Sequence, residues 1–271
     1  MILTKHQCED VERWALDGLL LSPEFDFRRL CGMHPTEVRP YLTSLQTDER
    51  ATGQAMAPME YDQEVWACGV TYARSRDARE AETDVKNVYD MVYEAKRPEL
   101  FFKAIGWRVK GPQSAIRIRR DSHWNVPEPE LTLLVNRHGE ILGYCVGNDV
   151  SSRNIEGENP LYLPQAKMYD GSCAIGPGIC IAEADSMRNL PIALEIERKG
   201  EVIFTGDANT SQIRRSFEEL VFYLTREMTF PFGAFLMTGT GIIPEQTFSL
   251  SVGDKVRITI GALVLENRVE S

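Results

Sequence analysis

The spacing of apolar residues changes along the chain and separates two kinds of segment. Between residues 75 and 96, apolar side chains recur at helical spacing among charged ones, which predicts an amphipathic helix that Pro98 ends. From Leu100 onward, short apolar or alternating runs are separated by turn residues, which predicts a succession of strands with one more helix over residues 210–229. The apolar positions of the first helix are Val85, Val88, Tyr89 and Val92.

The segment before residue 63 has a less regular pattern. Proline and glycine interrupt it, a short helical pattern covers residues 9–21, and the polar stretch 46–62 is typical of a linker. We therefore expect a small N-terminal domain over residues 1–62 and a second domain over residues 63–271. Because strands dominate the second part, the sequence favours an α+β fold with a mixed β-sheet or β-roll over a doubly wound fold.

Length and charge exclude several classes of protein. With 271 residues the chain can bury a large core without disulfides or structural zinc, so any metal would serve function. Forty acidic against thirty basic residues give a net charge of −10, which repels nucleic acid and anionic membranes. The N-terminus lacks the apolar core of an export signal, and no apolar run is long enough to span a membrane, so we expect a cytoplasmic protein.

Three carboxylates are candidates for a metal site. Glu128 and Glu130 lie two apart on a predicted strand and point to one face. If the hairpin loop has an even number of residues, the numbers of two residues that face each other across the hairpin add to 275. Glu128 then lies opposite Gly147, on the face that also carries Asp149. An odd loop or a bulge at Gly139 would turn Asp149 away, and both glutamates are alternatively edge-strand charges that discourage aggregation.

Oxygen ligands alone favour magnesium at such a site. Three buried carboxylates repel one another, and a divalent cation relieves that repulsion. The six cysteines and four histidines show no zinc spacing, so the metal we expect is Mg²⁺, with Mn²⁺ or Ca²⁺ as alternatives.

An ordered set of four motifs resembles the fumarylacetoacetate hydrolase family. The set consists of the E-x-E pair Glu128 and Glu130, an N-D-x-[ST]-x-R segment over residues 148–153, Lys167, and a T-G-T-G turn over residues 238–241. The resemblance covers residues 64–271 and implies the fold of that family's C-terminal catalytic domain. Segments 97–103, 155–167 and 238–244 look most like its 2-keto-3-deoxy-arabinonate dehydratase branch.

This resemblance implies a reaction as well as a fold. The chain would be a magnesium-dependent hydro-lyase that converts a 2-keto-3-deoxy sugar acid of the arabinonate type to 2,5-dioxopentanoate through a metal-stabilised enolate. A 2-keto acid can chelate the metal through adjacent carboxylate and carbonyl oxygens, which makes its C3 proton more acidic. The implied partners are this small acid and further copies of the chain, as a homodimer or homotetramer.

The resemblance also assigns residues. Glu128, Glu130 and Asp149 would bind magnesium, and Lys167 and Glu99 would be catalytic. Lys167, close to a cation and shielded from water, would have its neutral form favoured, whereas Glu99 would carry a proton to the departing hydroxyl. The substrate-binding residues would be Arg153, Thr240 and Ser151. Four of these assignments have an alternative. Lys167 could be a surface lysine and Glu99 a charge at a helix terminus. Thr240 could belong to a plain turn, and Arg153 could form a structural salt bridge.

Two other functions are compatible with the sequence. One is hydrolysis or decarboxylation of a 2,4-diketo acid on the same metal. Gly241, where the carbon–carbon hydrolases more often have proline, and the lack of a histidine placed beside a glutamate count against it. The other is a catalytically silent ligand-binding or assembly protein, against which the intact acidic set and Lys167 argue.

Overall fold

Two β-sheets and a few short helices make up the structure. The computed structural model describes the backbone of residues 1–82 and 88–271, and the side chains of residues 1–78 and 89–271. The strands are β1 (Ile2–Cys8), β2 (Val11–Leu16), β3 (Leu19–Leu21), β4 (Gln46–Arg50), β5 (Gln54–Met56), β6 (Glu64–Gly69), β7 (Glu99–Ile105), β8 (Ala115–Arg117), β9 (Asn125–Val126), β10 (Pro129–Val135), β11 (Ile141–Asp149), β12 (Ser151–Ser152), β13 (Cys173–Ile181), β14 (Pro191–Arg198), β15 (Glu201–Asn209), β16 (Ala234–Met237), β17 (Lys255–Ile260) and β18 (Leu263–Glu270). The helices are α1 (Phe27–Leu30), α2 (Pro35–Leu45), α3 (Ala73–Glu82), α4 (Val88–Glu94), α5 (Arg153–Glu158), α6 (Leu163–Lys167) and α7 (Phe217–Thr225).

The larger sheet has eleven strands in the order β4-β3-β2-β1-β13-β11-β10-β16-β6-β7, with β5 paired to β1. Its pairs are antiparallel except for β16 with β6. The smaller sheet has five strands in the order β15-β14-β17-β18-β8, and β9 and β12 form a separate short pair. The mixed sheets with few helices confirm the predicted α+β class.

The larger sheet has a hydrophobic cluster on each face. Leu131, Leu133 and Val135 of β10 point to a cluster that also contains the smaller sheet and α7. Leu134, from the opposite face, belongs to a second cluster with α1 and α2. Because Glu130 alternates with Leu131, it lies on the same face as Leu134 and the second cluster.

The predicted helix over residues 9–21 is wrong. This segment forms β2 and β3, and β2 pairs with β1 along six residues, from Leu3 opposite Leu16 to Cys8 opposite Val11. Asp17 and Gly18 make the two-residue turn to β3, with φ of 48° and 84°. An Asp-Gly pair between apolar runs is a strong hairpin signal, and strand pairing here overrides the local helical spacing.

The helices are shorter than the sequence predicts. The predicted helix over residues 75–96 corresponds to α3 and α4, and Val85 and the side chain of Val88 lie outside the described residues. The predicted helix over residues 210–229 is divided into a short 3-10 helix, Thr210–Gln212, and α7. Ser216 caps α7 by accepting from the Glu219 amide. None of the helices in the described part of the chain has the length and hydropathy needed to cross a lipid bilayer.

The N-terminal segment, residues 1–62, contributes strands to the larger sheet. β1 pairs with β13, with Ile2 opposite Cys180 and Leu3 opposite Ile179. Arg39 of α2 also donates to the Ile181 carbonyl oxygen at 2.8 Å. The division into domains after Asp62 stays a prediction.

Candidate active site

The three candidate metal ligands meet at the ends of β10 and β11. Glu130 pairs with Gly147 and Pro129 with Asn148, and the Asp149 amide donates to the Glu128 carbonyl oxygen at 2.9 Å. The predicted register, with Glu128 opposite Gly147, is therefore wrong by two positions. A bulge between Leu134 and Val135 causes part of this shift, and an even shift keeps every side chain on its predicted face.

The acidic trio, Glu128, Glu130 and Asp149, is compact and buried. A carboxylate oxygen from each lies within 4.8 Å of the others, and no residue of the trio is more than 4% exposed. Glu128 lies directly across from Asp149, and Glu130 is one pleat further along β10. The strand ends thus place three oxygen ligands on one face with no thiol or imidazole among them.

Burial and mutual repulsion act most strongly on Glu130. Desolvation, together with the charges of Asp149 and Glu128, raises the pKa of Glu130 well above its ordinary value. Its Oε2 accepts a hydrogen bond from the Gly239 amide at 2.5 Å, and no ion pair reaches it among the described residues. The trio without an ion is therefore electrostatically strained at this position.

Lys167 lies between two members of the trio. Its Nζ is 2.9 Å from Glu128 Oε1, 3.1 Å from Asp149 Oδ2 and 2.7 Å from Ser151 Oγ. Ser151 in turn donates to the Asp149 carbonyl oxygen at 3.0 Å. Ser151 thus accepts a hydrogen bond from Lys167, and its predicted role in substrate binding stays a prediction.

Arg153 is held by two carboxylates. Its Nη2 lies 3.1 Å from Glu128 Oε1 and its Nη1 lies 3.5 Å from Glu156 Oε2, and all three side chains are buried. The guanidinium therefore contacts a candidate metal ligand directly, as the salt-bridge alternative for Arg153 predicts.

A small cavity adjoins the trio. Its volume is about 20 Å³, enough for a single water. Its lining includes Glu128, Asp149 and Lys167 together with Glu99, Thr240 and Glu156. None of the four histidines, all of which lie in the described part of the chain, lines it.

Glu99 reaches this cavity from β7, and Thr240 reaches it from the turn after β16. Glu99 begins β7 opposite Gly69, and a side chain at Gly69 would overlap the Glu99 carboxylate. Thr240 lies in the T-G-T-G turn after β16 and is 2% exposed. The Gly239 amide of this turn donates to Glu130 in this structure.

The donor set fits a hard divalent cation. The candidate ligands are three carboxylates whose mutual repulsion in a buried site a divalent cation would relieve, most of all at Glu130. Carboxylate oxygens without sulfur or nitrogen ligands suit Mg²⁺. Glu128, Glu130 and Asp149 would hold such an ion.

Sequence reasoning assigned no role to two buried residues of the site. Glu156 lines the cavity and pairs with Arg153, and Lys103 lies 2.5 Å from Asp149 Oδ1. The signal for Lys103 was a lysine inside the apolar run Leu100–Ile105. Because lysine is rarely buried without a partner, such a position points to a buried acid elsewhere in the chain.

Comparisons with known proteins agree with the motif set. A family model described as the C-terminal part of fumarylacetoacetate hydrolase matches residues 64–270. The "Probable 2-keto-3-deoxyxylonate dehydratase" of Haloferax volcanii is 53% identical over 217 residues, which cover 79% of this chain and 74% of that protein. The 2-dehydro-3-deoxy-D-arabinonate dehydratase of Saccharolobus solfataricus is 46% identical over 205 residues, which cover 73% of this chain and 68% of that protein.

A solved structure extends the similarity to the whole chain. The 2-keto-3-deoxy-D-arabinonate dehydratase complexed with magnesium and 2,5-dioxopentanoate superimposes with a TM-score of 0.85 at 35% identity. The superposition covers 100% of this chain and 99% of the solved one. The N-terminal segment therefore has a counterpart in that protein.

Proposed function

The chain belongs to the fumarylacetoacetate hydrolase family, and from that premise we propose that it is a magnesium-dependent dehydratase of a 2-keto-3-deoxy sugar acid. The reaction removes water from a 2-keto-3-deoxypentonate and gives 2,5-dioxopentanoate, the compound bound in the solved relative. The chain is thus an enzyme of the hydro-lyase class.

One observation carries this proposal. The acidic trio lies within 4.8 Å, and two of its members, Glu128 and Asp149, line a small cavity together with Lys167 and Glu99. A proton acceptor and an acidic group beside a candidate metal site are what an elimination of water requires. A histidine, which would favour activation of water for hydrolysis, is missing from the lining described above.

Lys167 is the candidate for moving the C3 proton. A bound magnesium ion supplies a Lewis acid that withdraws electrons from the 2-keto acid and makes the C3 proton more acidic. Lys167 Nζ contacts both Glu128 and Asp149, so it is close to where the keto acid would bind. Ser151 and the backbone of α6 fix its direction.

Glu99 is the candidate for the second proton transfer. Elimination requires a proton on the leaving C4 hydroxyl, and later proton shifts produce the aldehyde at C5. Glu99 lines the cavity on the side of β6 and β7, with Gly69 leaving room for its carboxylate. Thr240 and Arg153 complete the proposed set, Thr240 as a wall of the cavity and Arg153 as the partner of Glu128.

The two relatives' names are compatible with a single substrate. Arabinonate and xylonate of the same D or L series differ only at C2 and C3. Both centres disappear when C2 is a ketone and C3 is a methylene, so the two 2-keto-3-deoxy acids of one series are the same compound. The remaining choice is the configuration at C4.

Product analysis tests this function. The purified protein with Mg²⁺ and 2-keto-3-deoxy-D-arabinonate should release one equivalent of a semialdehyde with the mass of 2,5-dioxopentanoate, and EDTA should abolish the reaction. The L-substrate serves as the comparison for C4. Cleavage to pyruvate and a second fragment would contradict dehydration, and no turnover of either substrate would contradict the enzyme assignment.

The other expectations remain part of the proposal. Mn²⁺ and Ca²⁺ offer the same hard-ligand chemistry as Mg²⁺, and their support of activity is to be measured in the same assay. A homodimer or homotetramer and a cytoplasmic location stay predictions. Light scattering at several protein concentrations measures the oligomeric state.

A further inference from the structure

A second lysine lies beneath the candidate metal centre. The Lys103 side chain is fully buried, and its ammonium group is 2.5 Å from Asp149 Oδ1. It also donates to the carbonyl oxygens of Val150 at 3.0 Å and of Lys167 at 2.6 Å. One side chain therefore contacts a candidate metal ligand, the residue after it, and the backbone of the candidate catalytic lysine.

A β-bulge turns Lys103 toward the interior. Val65 pairs with Ala104 and Trp66 with Phe102, so Lys103 is the extra residue of β7. Lys103 and the neighbouring Ala104 are both buried. Bulges redirect side chains, and here the Lys103 side chain is directed at the ends of β11 and α6.

The Lys103 ammonium group contacts three oxygens. Two backbone carbonyl oxygens accept hydrogen bonds from it, and Asp149 Oδ1 is its ion-pair partner. Lys103 is not part of the cavity lining, so it does not contact a substrate there. Lys103 therefore acts on the reaction only through the groups that it holds.

We propose that Lys103 is a positioning residue that fixes Asp149 and Lys167 relative to each other. By holding Asp149 at Oδ1, it leaves Oδ2 directed toward Lys167, and by holding the Lys167 carbonyl oxygen it fixes the end of α6. Asp149 and Lys167 then keep the spacing that metal binding and proton transfer both need. This inference rests on the proposed function for its kinetic consequence, but not for its effect on the metal site.

The test replaces Lys103 with methionine, which has a similar length but no charge and no donors. Lys103→Met should lower kcat for dehydration by about 10- to 100-fold, the range typical of residues that orient metal ligands, while KM changes by less than threefold. The EPR spectrum of Mn²⁺ bound to the substrate-free variant should differ from the wild-type spectrum, because Asp149 is no longer held at one oxygen. A residue that only stabilises the fold would leave both the spectrum and kcat per folded molecule unchanged.

Lys5 provides a matched control. It is also buried, it pairs with Glu12 at 2.7 Å, and it donates to the Met59 carbonyl oxygen at 3.0 Å, in a part of β1 that does not line the active-site cavity. Lys5→Met should lose stability but keep the wild-type Mn²⁺ spectrum and kcat. A changed spectrum in Lys5→Met would show that the signal reports general loss of packing, and this would overturn the inference.

The remaining outcomes separate this inference from the proposed function. A Lys103→Met variant with wild-type kcat and spectrum overturns the positioning role. If that variant does not fold, Lys103→Gln, which retains two donors, takes its place, and failure of both to fold shows a role in the fold alone and also overturns it. If the wild-type protein itself does not dehydrate the substrate, the proposed function fails, and the Mn²⁺ spectrum alone decides on Lys103.

Discussion

Single side chains set the electrostatics of the acidic trio. Lys103, Lys167 and Arg153 each contact at least one of its carboxylates, but Glu130 receives only the Gly239 amide among the described residues. Glu130 is thus the carboxylate with the least compensation in the protein without its ion. Two predictions at the scale of the residue follow from this difference.

Replacing Glu130 with glutamine should separate stability from metal binding. Glu130→Gln removes a desolvated charge while keeping an oxygen to accept from Gly239, so in EDTA the variant should unfold at a higher temperature, with a gain of about 1–2 kcal/mol. The same change removes a charged ligand, and calorimetry should show Mg²⁺ affinity at least tenfold weaker. An unchanged Mg²⁺ affinity would remove Glu130 from the ligand set.

Glu130 should also give the ion-free protein an unusual pH dependence. Its pKa in the folded protein is raised above the value of about 4.3 for an unfolded chain, so the folded state binds more protons between those two values. Its stabilising contribution is complete below about pH 4.3 and is lost as the pH rises through the raised folded value. Thermal melts in EDTA at increasing pH measure this loss.

The Glu130→Gln variant is the control for that titration. It should lack the part of the pH dependence that comes from Glu130, and saturating Mg²⁺ should remove the same part from the wild-type curve. Parallel wild-type and variant curves in EDTA would assign the pH dependence to other groups.

Turns between strands and bulges within strands decide where the side chains of the site lie. The turn after β16 has Gly239 at a φ of +90°, and a side chain there would overlap Thr71 Oγ1. This left-handed backbone directs the Gly239 amide to Glu130. The turn is therefore as much a part of the acidic site as the strands are.

A substitution in this turn should affect both folding and metal binding. Gly239→Ala should destabilise the protein by about 2–4 kcal/mol, because it adds a contact with Thr71 to the strain of a positive φ. Gly200→Ala is the matched control, since Gly200 has a φ of +88° with no atom near the added carbon, and it should lose only about 1 kcal/mol. Denaturant unfolding measures both, and equal losses would contradict the role of the Thr71 contact.

The sequence predicted the grouping of the three carboxylates better than the elements that bring them together. The alternation of Glu128 and Glu130 is a local property of a strand, so their shared face was predictable, and an even error in register left Asp149 on that face. The bulges in β7 and β10 depend on the neighbouring strands, which no local pattern reveals. A lysine inside the apolar run Leu100–Ile105 signals burial, but the bulge that precedes the contact of Lys103 with Asp149 is not visible in the sequence.

The helix predicted at residues 9–21 shows a related limit of prediction from local sequence patterns. Its apolar spacing suits a helix, but the Asp17-Gly18 turn and the six-residue pairing of β2 with β1 stabilise strands instead. Strands that are close in sequence can be paired from the turn residues between them, and the Asp17-Gly18 turn could have revealed the β2–β3 hairpin. The pairing of β1 with β13 joins residues far apart in the chain and is not visible in the spacing.

At the scale of the whole molecule, the N-terminal segment completes the larger sheet. Nearly half of the buried members of the second hydrophobic cluster come from it, including Leu3, Trp14 and Phe27. This cluster covers the face of the sheet on which Glu130 lies. The N-terminal segment thus covers apolar side chains of residues 63–271 on the face of the sheet that carries Glu130.

Deleting residues 1–62 should therefore prevent stable folding. The fragment 63–271 would expose the β13 edge and the apolar side chains that pack on the N-terminal segment, so we expect it to aggregate or to lose its cooperative thermal transition. Circular dichroism and size-exclusion chromatography measure this. A soluble fragment with a sharp transition would instead support an independent domain boundary after Asp62.

The cationic side chains around the trio are tethered counterions. They balance most of its charge before any ion arrives, so the chain can fold first and acquire its metal later. An incoming ion would share these carboxylates with ammonium and guanidinium groups that never diffuse away. Sodium and potassium carry no more charge than each of these groups, so we expect the centre to favour a divalent cation over the abundant alkali cations.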